Sequence, residues 1–437
     1  MNKFIRILIN LFNKRDFISK IYYTLFIIII YRLGSFIPIP FINHNFFKLN
    51  PSYKGIIHFL TPLTGGNSNR VSIFSLGIMP YISASILTQL MCYMFPYLYK
   101  IQQDGEIGIK KINNITKVLT ILISLIQAPV YITLLISNNI KENPEFYNLI
   151  LIHCKKIFLI TSIICITTGT FFTMWLGEKI NDKGIGNGNS LIIISGILSR
   201  FIYSIISEIL NRIKNNNKLL GIIILLFELF IWLLIIGISI IIINYVKKIH
   251  IQYVNKFYLN NYSSNIEEIY LRNEIKFIPL KVVYPGVMPI IFSQGILLIL
   301  ITIFNKINNL QYILIYINNI YGIWYNILYS ILIIFITFFY TFLSIPVNKI
   351  SDDLKINGVY IPNIKPGKDT CFFLKKIVSQ IYFPGSLLLV IIALLPSIFI
   401  SLGGDKNFSL FFGGTTIIII VGGLLDIKYT INSYLLK

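Results

Sequence analysis

Apolar residues run along this chain in blocks of about twenty, and short polar or basic stretches separate the blocks. The stretches 219–246 and 408–427 show the pattern best, being dominated by Ile, Leu, Val and Phe. Each is long enough to cross ~30 Å of hydrocarbon as a helix rising ~1.5 Å per residue. A helix satisfies its own backbone amides and carbonyls, so it is one of the few structures that lipid tolerates. The same reading predicts ten spans, at 19–37, 71–96, 118–137, 153–176, 188–207, 219–246, 283–304, 322–345, 377–400 and 408–427. An even number places both ends of the chain on one side.

Composition agrees. Only 13% of the residues are charged and 55% are hydrophobic, against about 25% charged in a soluble domain. The fold class expected is an all-α polytopic membrane protein. On a soluble protein a net charge of +21 would point to nucleic acid. Here most of the Lys and Arg fall in the connections on the side of the termini, which the positive-inside rule assigns to the cytoplasm. The connection 208–218, with Arg212, Lys214 and Lys218, runs against this bias. Cys92, Cys154, Cys165 and Cys371 show no paired spacing, so neither a disulfide framework nor a metal site is expected. The start, MNKFIRILINLFNKRDFISK, is basic and amphipathic and carries no small-residue cleavage site of a signal peptide.

Three connections stand out. The cytoplasmic ones at 247–282 and 346–376 are too long and polar for mere turns. On the other side, GIIHFLTPLTGG (55–66) is partly apolar and broken by Pro62, Gly65 and Gly66, as a half-helix folded back into the protein would be. The connection between spans four and five, in WLGEKINDKGIGNGNSLIII (175–194), is rich in glycine. It is no dinucleotide loop, because it follows a membrane helix and its third glycine falls one position early. Nor is KPGKDT (365–370) a P-loop, since Pro362 stands where the first glycine belongs and no Ser or Thr follows Lys368. A compact re-entry fits better. Gly184, Gly186 and Gly188 permit a tight backbone, Asn187 and Asn189 can satisfy exposed amides, and Ser190 can cap the next helix.

This segment closely resembles the loop into the fifth helix of the SecY family, the channel subunits of protein-conducting translocons. YRLGSFIPIP (31–40), SIFSLGIMPYISASILTQLM (72–91), DGEIGIKKIN (104–113), IPLKVVYPGVMPIIF (278–292), GVYIPNIKPGKDT (358–370) and FFGGTTIIIIV (411–421) resemble other segments of that family, in its order and over most of the chain. QLMCYMFPYLYKIQ and NIKPGKDTCFF are most similar to Bacteroidota forms.

The resemblance implies two pseudo-symmetric halves of five helices, 1–211 and 212–437, hinged at NRIKNNNK (211–218), with a lateral gate between helices two, three, seven and eight. It implies a pore ring at Ile78, Ile82, Asn189, Ile193, Ile291 and Ile419, where branched aliphatic side chains exclude water and ions by dewetting. In a chain this rich in Ile, each such residue reads equally as core or lipid-facing. Asn189 departs from the aliphatic residue usual in the family. It either weakens the seal or hydrogen-bonds a neighbouring segment. The plug would be 55–70, including Phe59, Leu60, Leu63, Gly65 and Gly66. Ser83, Ser85 and Gln89 would lie on the gate, where they ease its opening or simply pack helices. Lys247, Lys248, Lys256, Lys355, Lys365 and Lys368 would dock the ribosome or the motor ATPase SecA. Lys-rich loops suit a polyanionic RNA. Lys365 stands where many members have Arg, and Pro346-Val347 replaces an Asn-Pro. SecE and SecG subunits, signal peptides, nascent chains and the bilayer complete the implied partners, and no cofactor is implied. The implied setting is a bacterial inner membrane.

A secondary transporter is the alternative class. Its spans would carry ionisable residues at mid-membrane. The candidates here are Arg32 and Arg200, close enough to span ends to snorkel, and Glu228, deep in span six. A membrane-embedded enzyme is a third class, but no His/Asp/Glu cluster or nucleophile–base pair supports it.

Overall fold

The computed structural model describes residues 14–40, 72–142, 155–215, 218–253, 276–282, 286, 288–306, 322–401 and 414–436. Among them the chain forms, in order, α1 (Arg15–Gly34), α2 (Met79–Met94), α3 (Pro96–Gln103), α4 (Glu106–Glu142), α5 (Lys155–Lys183), α6 (Gly188–Asn215), α7 (Lys218–Asn244), β1 (Val246–Tyr253), β2 (Lys276–Lys281), α8 (Met288–Lys306), α9 (Ile323–Ser344), α10 (Val347–Ile356), β3 (Val359–Tyr360), α11 (Lys368–Ser401) and α12 (Gly414–Leu436). A helix overlies each of the ten predicted spans. Seven helical stretches among the described residues are long and apolar enough to cross a membrane: Arg15–Gly34, Gly105–Thr133, Ile157–Lys183, Leu225–Asn244, Ile323–Ile356, Lys368–Ser401 and Thr416–Tyr434.

The boundaries move for identifiable reasons. Predicted span two begins late, because residues 73–78 are successive turns. Gly77 has φ 53°, and its carbonyl accepts the Thr173 hydroxyl of α5 at 3.2 Å. Span three begins early, at Glu106, just after Gly105 with φ 69°. The connection expected at 208–218 is helical through Asn215, so Arg212 and Lys214 ride on the end of α6, where the helix dipole favours cations.

Packing divides the chain into two compact units, Met1–Leu229 with Phe399–Lys437, and Phe230–Ile398. The division expected from chain order fell at residue 211. In the first unit α1 buries Phe17, Thr24, Ile27, Tyr31 and Gly34, a seam at helical spacing. Its Leu25, Phe26, Ile29 and Leu33 are exposed, as a helix facing lipid requires. Helix α4 buries Thr116, Thr120, Ser124 and Ala128. Small side chains every fourth residue let neighbouring helices approach closely. Helix α12 joins this unit at two places. Ile194 of α6 fills the space beside Gly423. At its far end Tyr434 packs on Phe17, ring centroids 5.7 Å apart. The Tyr434 carbonyl accepts from Lys14 Nζ at 2.7 Å, and its hydroxyl meets Lys20 Nζ. Phe17, Ile21, Ile185, Ile427, Ile431 and Tyr434 form one apolar cluster.

The second unit carries structure that the all-α reading did not anticipate. The two long connections contribute a small antiparallel sheet of order β2-β1-β3. In β1, Ile249 and Ile251 are buried while Lys248, His250 and Gln252 are exposed, the alternation of a half-buried strand. The buried pair joins Leu280, Ile345, Val347, Val359, Ile361, Leu374, Ile377 and Ile381 in one apolar cluster. This cluster seats the sheet on α10 and α11.

The Tyr434 contacts give a first prediction. Replacing Tyr434 by Ala removes a ring contact and a hydroxyl partner together, and should destabilise the protein by about 1–3 kcal/mol. Thermal unfolding in detergent measures it, and a melting temperature unchanged from the native protein would show that the α1–α12 contact carries no stability.

Candidate pore, gate and docking residues

The glycine-rich connection is a tight turn between α5 and α6. Gly186 sits at φ 75°, a conformation that L side chains rarely adopt. At Gly188 the reason for glycine is space, since a Cβ there would lie 2.1 Å from the Gly177 carbonyl oxygen. The start of α6 therefore crosses α5 backbone to backbone. Its open amides are satisfied by side chains. Asn181 Oδ1 accepts from the Gly188 amide at 2.7 Å, and Asn187 Oδ1 accepts from the Asn189 amide at 3.2 Å. Asn187 is thus the cap, a role expected for Ser190, which lies instead against Gly423 on α12. Nearby, Lys117 of α4 and Glu178 of α5 form an ion pair at 2.8 Å.

The ring candidates fall at helix starts. Ile78 is the residue before α2, and Ile82 lies one turn on, its amide bonded to the Ile78 carbonyl at 3.1 Å. Asn189 and Ile193 are likewise one turn apart on α6, so each pair shares a face. Ile419 lies on α12 of the same unit, and Ile291 lies on α8 of the second unit. All five isoleucines are buried, which removes lipid contact as the reason for their apolar character. Asn189 is half-buried, and its Oδ1 is buried without a hydrogen-bond partner. That oxygen lies 2.1 Å from where a Cβ on Gly177 would stand, so the amide occupies the notch that this glycine leaves. The Tyr81 side chain of α2 is within hydrogen-bonding reach of the same amide.

On α2, Ser83 Oγ donates to the Met79 carbonyl at 3.1 Å, while Ser85 and Gln89 are half-buried. The buried polar contact that reaches a second helix is one the sequence reading did not single out. Thr88 Oγ1 and Thr116 Oγ1 of α4 stand 3.4 Å apart. The signal was there in the Thr116, Thr120, Ser124 stripe, but its partner helix was not. Arg32 does not simply snorkel. Its guanidinium donates to the Ser195 carbonyl of α6. Glu228 is buried on α7.

In the second unit Lys247, Lys248, Lys355, Lys365 and Lys368 are all exposed. The Lys248 ammonium stands 4.7 Å from the centre of the Phe277 ring. Thr370 Oγ1 bonds the Lys365 carbonyl at 2.8 Å, fixing the turn into α11. The plug candidates Phe59, Leu60, Leu63, Gly65 and Gly66, and Lys256, lie outside the described residues. Among the described residues no group of three His, Cys, Asp or Glu side chains is placed to hold a metal.

Long apolar helices, two of them entered through turns capped by side chains, define a multi-pass membrane protein with the fold of a protein-conducting channel. The fold is similar to a solved structure of a protein conducting channel, with TM-score 0.61 and 15% identity over 95% of this chain and 92% of that one. It is similar also to Sec61 in the canine ribosome–channel complex from the endoplasmic reticulum, with TM-score 0.58 and 15% identity over 95% and 92%. The SecY family profile matches residues 72–428. Protein translocase subunit SecY of Aquifex aeolicus is 34% identical over 98% of this chain and 96% of its own length. The Rickettsia typhi subunit is 35% identical over 97% and 94%. The chain belongs to the SecY family, and the solute-transporter alternative falls.

The α2–α4 contact is testable by a double-mutant cycle. Thr88→Val should cost about 0.5–1.5 kcal/mol by removing one hydrogen bond in a buried site. Thr88→Val with Thr116→Val should cost less than the two single changes added together. Additive costs would mean that the hydroxyls do not interact.

Proposed function

We propose that this chain is the central pore-forming subunit of a translocon that passes unfolded secretory proteins across a membrane and releases membrane helices sideways into lipid. Family membership supports this reading, and the observation that carries it is the pair of broken helix entries. The turns at 73–78 and 184–187 bring α2 and α6 into register so that Ile78 with Ile82, and Asn189 with Ile193, stand as face-sharing pairs. With Ile291 and Ile419 they compose the pore ring. Branched aliphatic side chains form no strong bonds with a passing chain, so the ring excludes water at rest and yields when a segment is pushed through. The plug is 55–70, and the gate includes Ser83, Ser85 and Gln89.

The halves 1–211 and 212–437 open about the 211–218 hinge. The subunit has no catalytic role of its own. Energy comes from SecA, from ribosomal synthesis or from the membrane potential, and SecE and SecG complete the complex. The Sec61 relative was solved with a ribosome. Lys247, Lys248, Lys256, Lys355, Lys365 and Lys368 dock the ribosome or SecA here. The setting is a bacterial inner membrane with both termini cytoplasmic, the side that the Lys and Arg bias indicates.

Single-channel conductance of the reconstituted complex in planar bilayers tests the pore. The native protein should be closed at rest and open when a signal peptide is added. A complex that never conducts with signal peptide overturns the reading. For docking, Lys365→Glu with Lys368→Glu should weaken ribosome binding at least tenfold at low salt and flatten its salt dependence, because exposed cations bind a polyanion largely by counterion release. Co-sedimentation across a salt series reads this, and an unchanged slope moves docking elsewhere.

A further inference from the structure

Asn189 places a polar amide in a proposed pore ring otherwise made of isoleucine, and its surroundings account for how the chain accommodates it. Three helices of one unit meet at this side chain. Helix α6 supplies the residue itself, with its backbone amide already held by Asn187 Oδ1 at 3.2 Å. Helix α5 supplies Gly177, over whose bare Cα the Oδ1 atom lies. Helix α2 supplies Tyr81, half-buried and within hydrogen-bonding reach of the amide. Because Oδ1 is buried without a partner, the end of the amide that meets the Tyr81 hydroxyl is its nitrogen. Turning the amide over would bring its oxygen to Tyr81 and orphan the nitrogen at Gly177 instead. Either way one end is paired by Tyr81 and the other lies in the Gly177 notch.

From this we infer that Tyr81 and Gly177 form a seat for the Asn189 amide, and that Tyr81 is the positioning residue that keeps the ring closed with an Asn in it. The inference rests on the pore reading above. Its physical basis is the water demand of an amide. A seated amide needs no water to satisfy the end that Tyr81 binds. Without the phenol, both ends go unpaired while the ring is dry, and the hydrated open state gains relative to the closed one. Tyr81 is one residue from Ile82 and two from Met79, on the first turn of α2. The seat therefore also holds the entry of α2 against the α5–α6 crossing.

The experiment compares the native complex with Tyr81→Phe, Asn189→Ile and the double variant. Resting conductance in planar bilayers is recorded without and with signal peptide, and thermal unfolding is measured in detergent. Tyr81→Phe keeps the ring and removes only the hydroxyl. It should raise the resting open probability five- to a hundredfold, the equivalent of about 1–3 kcal/mol for an orphaned amide end. In the Asn189→Ile background the same change should do nothing, because no amide remains to be seated. The drop in melting temperature caused by Tyr81→Phe should likewise disappear in that background. An equal rise in both backgrounds would assign Tyr81 to general packing and overturn the seat, and so would no rise in the native background. A complex that never conducts, yet keeps the melting-temperature coupling, would retain the seat and overturn the pore. A complex that gates normally without the coupling would do the reverse.

Discussion

Hydrocarbon offers no hydrogen-bond partner to a peptide group, and the architecture of this protein follows from that constraint. Wherever the chain crosses as uninterrupted helix, the backbone satisfies itself. Where a helix begins late or a turn sits at a helix entry, something else must supply the missing donors and acceptors. Thr173 supplies one for the turns before α2, through the Gly77 carbonyl. Asn181 and Asn187 supply two for the start of α6. These are the places where the proposed pore residues stand. Broken backbone positions them, and side-chain hydrogen bonds keep the breaks affordable.

The close crossing of α5 and α6 sits at the centre of the first unit. Without a side chain at Gly188, the start of α6 comes into backbone contact with Gly177. Ile185 of the same turn joins Phe17 of α1 and Ile427 of α12 in one apolar cluster. The glycine-rich stretch thus does for helix packing what such stretches do for phosphates in nucleotide proteins. It lets two groups approach more closely than side chains would allow. The same crossing brings Asn189 over Gly177 and within reach of Tyr81.

The second unit answers a different demand. Its long connections leave the span pattern, and their apolar residues need a core outside the helices. Strand β1 provides one face of that core with Ile249 and Ile251, while Lys248 and His250 stay exposed. The basic side chains proposed for docking are therefore mounted on a folded platform. That matters for recognition, because charges held on a rigid element lose less conformational freedom on binding than charges on a free loop.

The sequence by itself determined the membrane class, a helix at each of ten positions, the broken character of the fifth helix entry and the family. These rest on period, length and composition, which are local properties of the chain. The tertiary structure alone decided which polar groups meet. The Thr88–Thr116 contact, the Lys117–Glu178 pair, the Arg32 bond to Ser195 and the Tyr81–Asn189–Gly177 seat join residues distant in sequence. The sheet was half legible, since the alternation in VKKIHIQY is plain once found, but eight residues inside a long polar connection do not announce a partner strand. Asn187 rather than Ser190 caps α6 because the turn ends one glycine earlier than the apolar run suggests. Helix α12 grouped with the N-terminal helices for a similar reason. Gly423 and Tyr434 carry no mark in the sequence of the surfaces they meet, and those surfaces, at Ile194 and Phe17, exist only once the chain has folded.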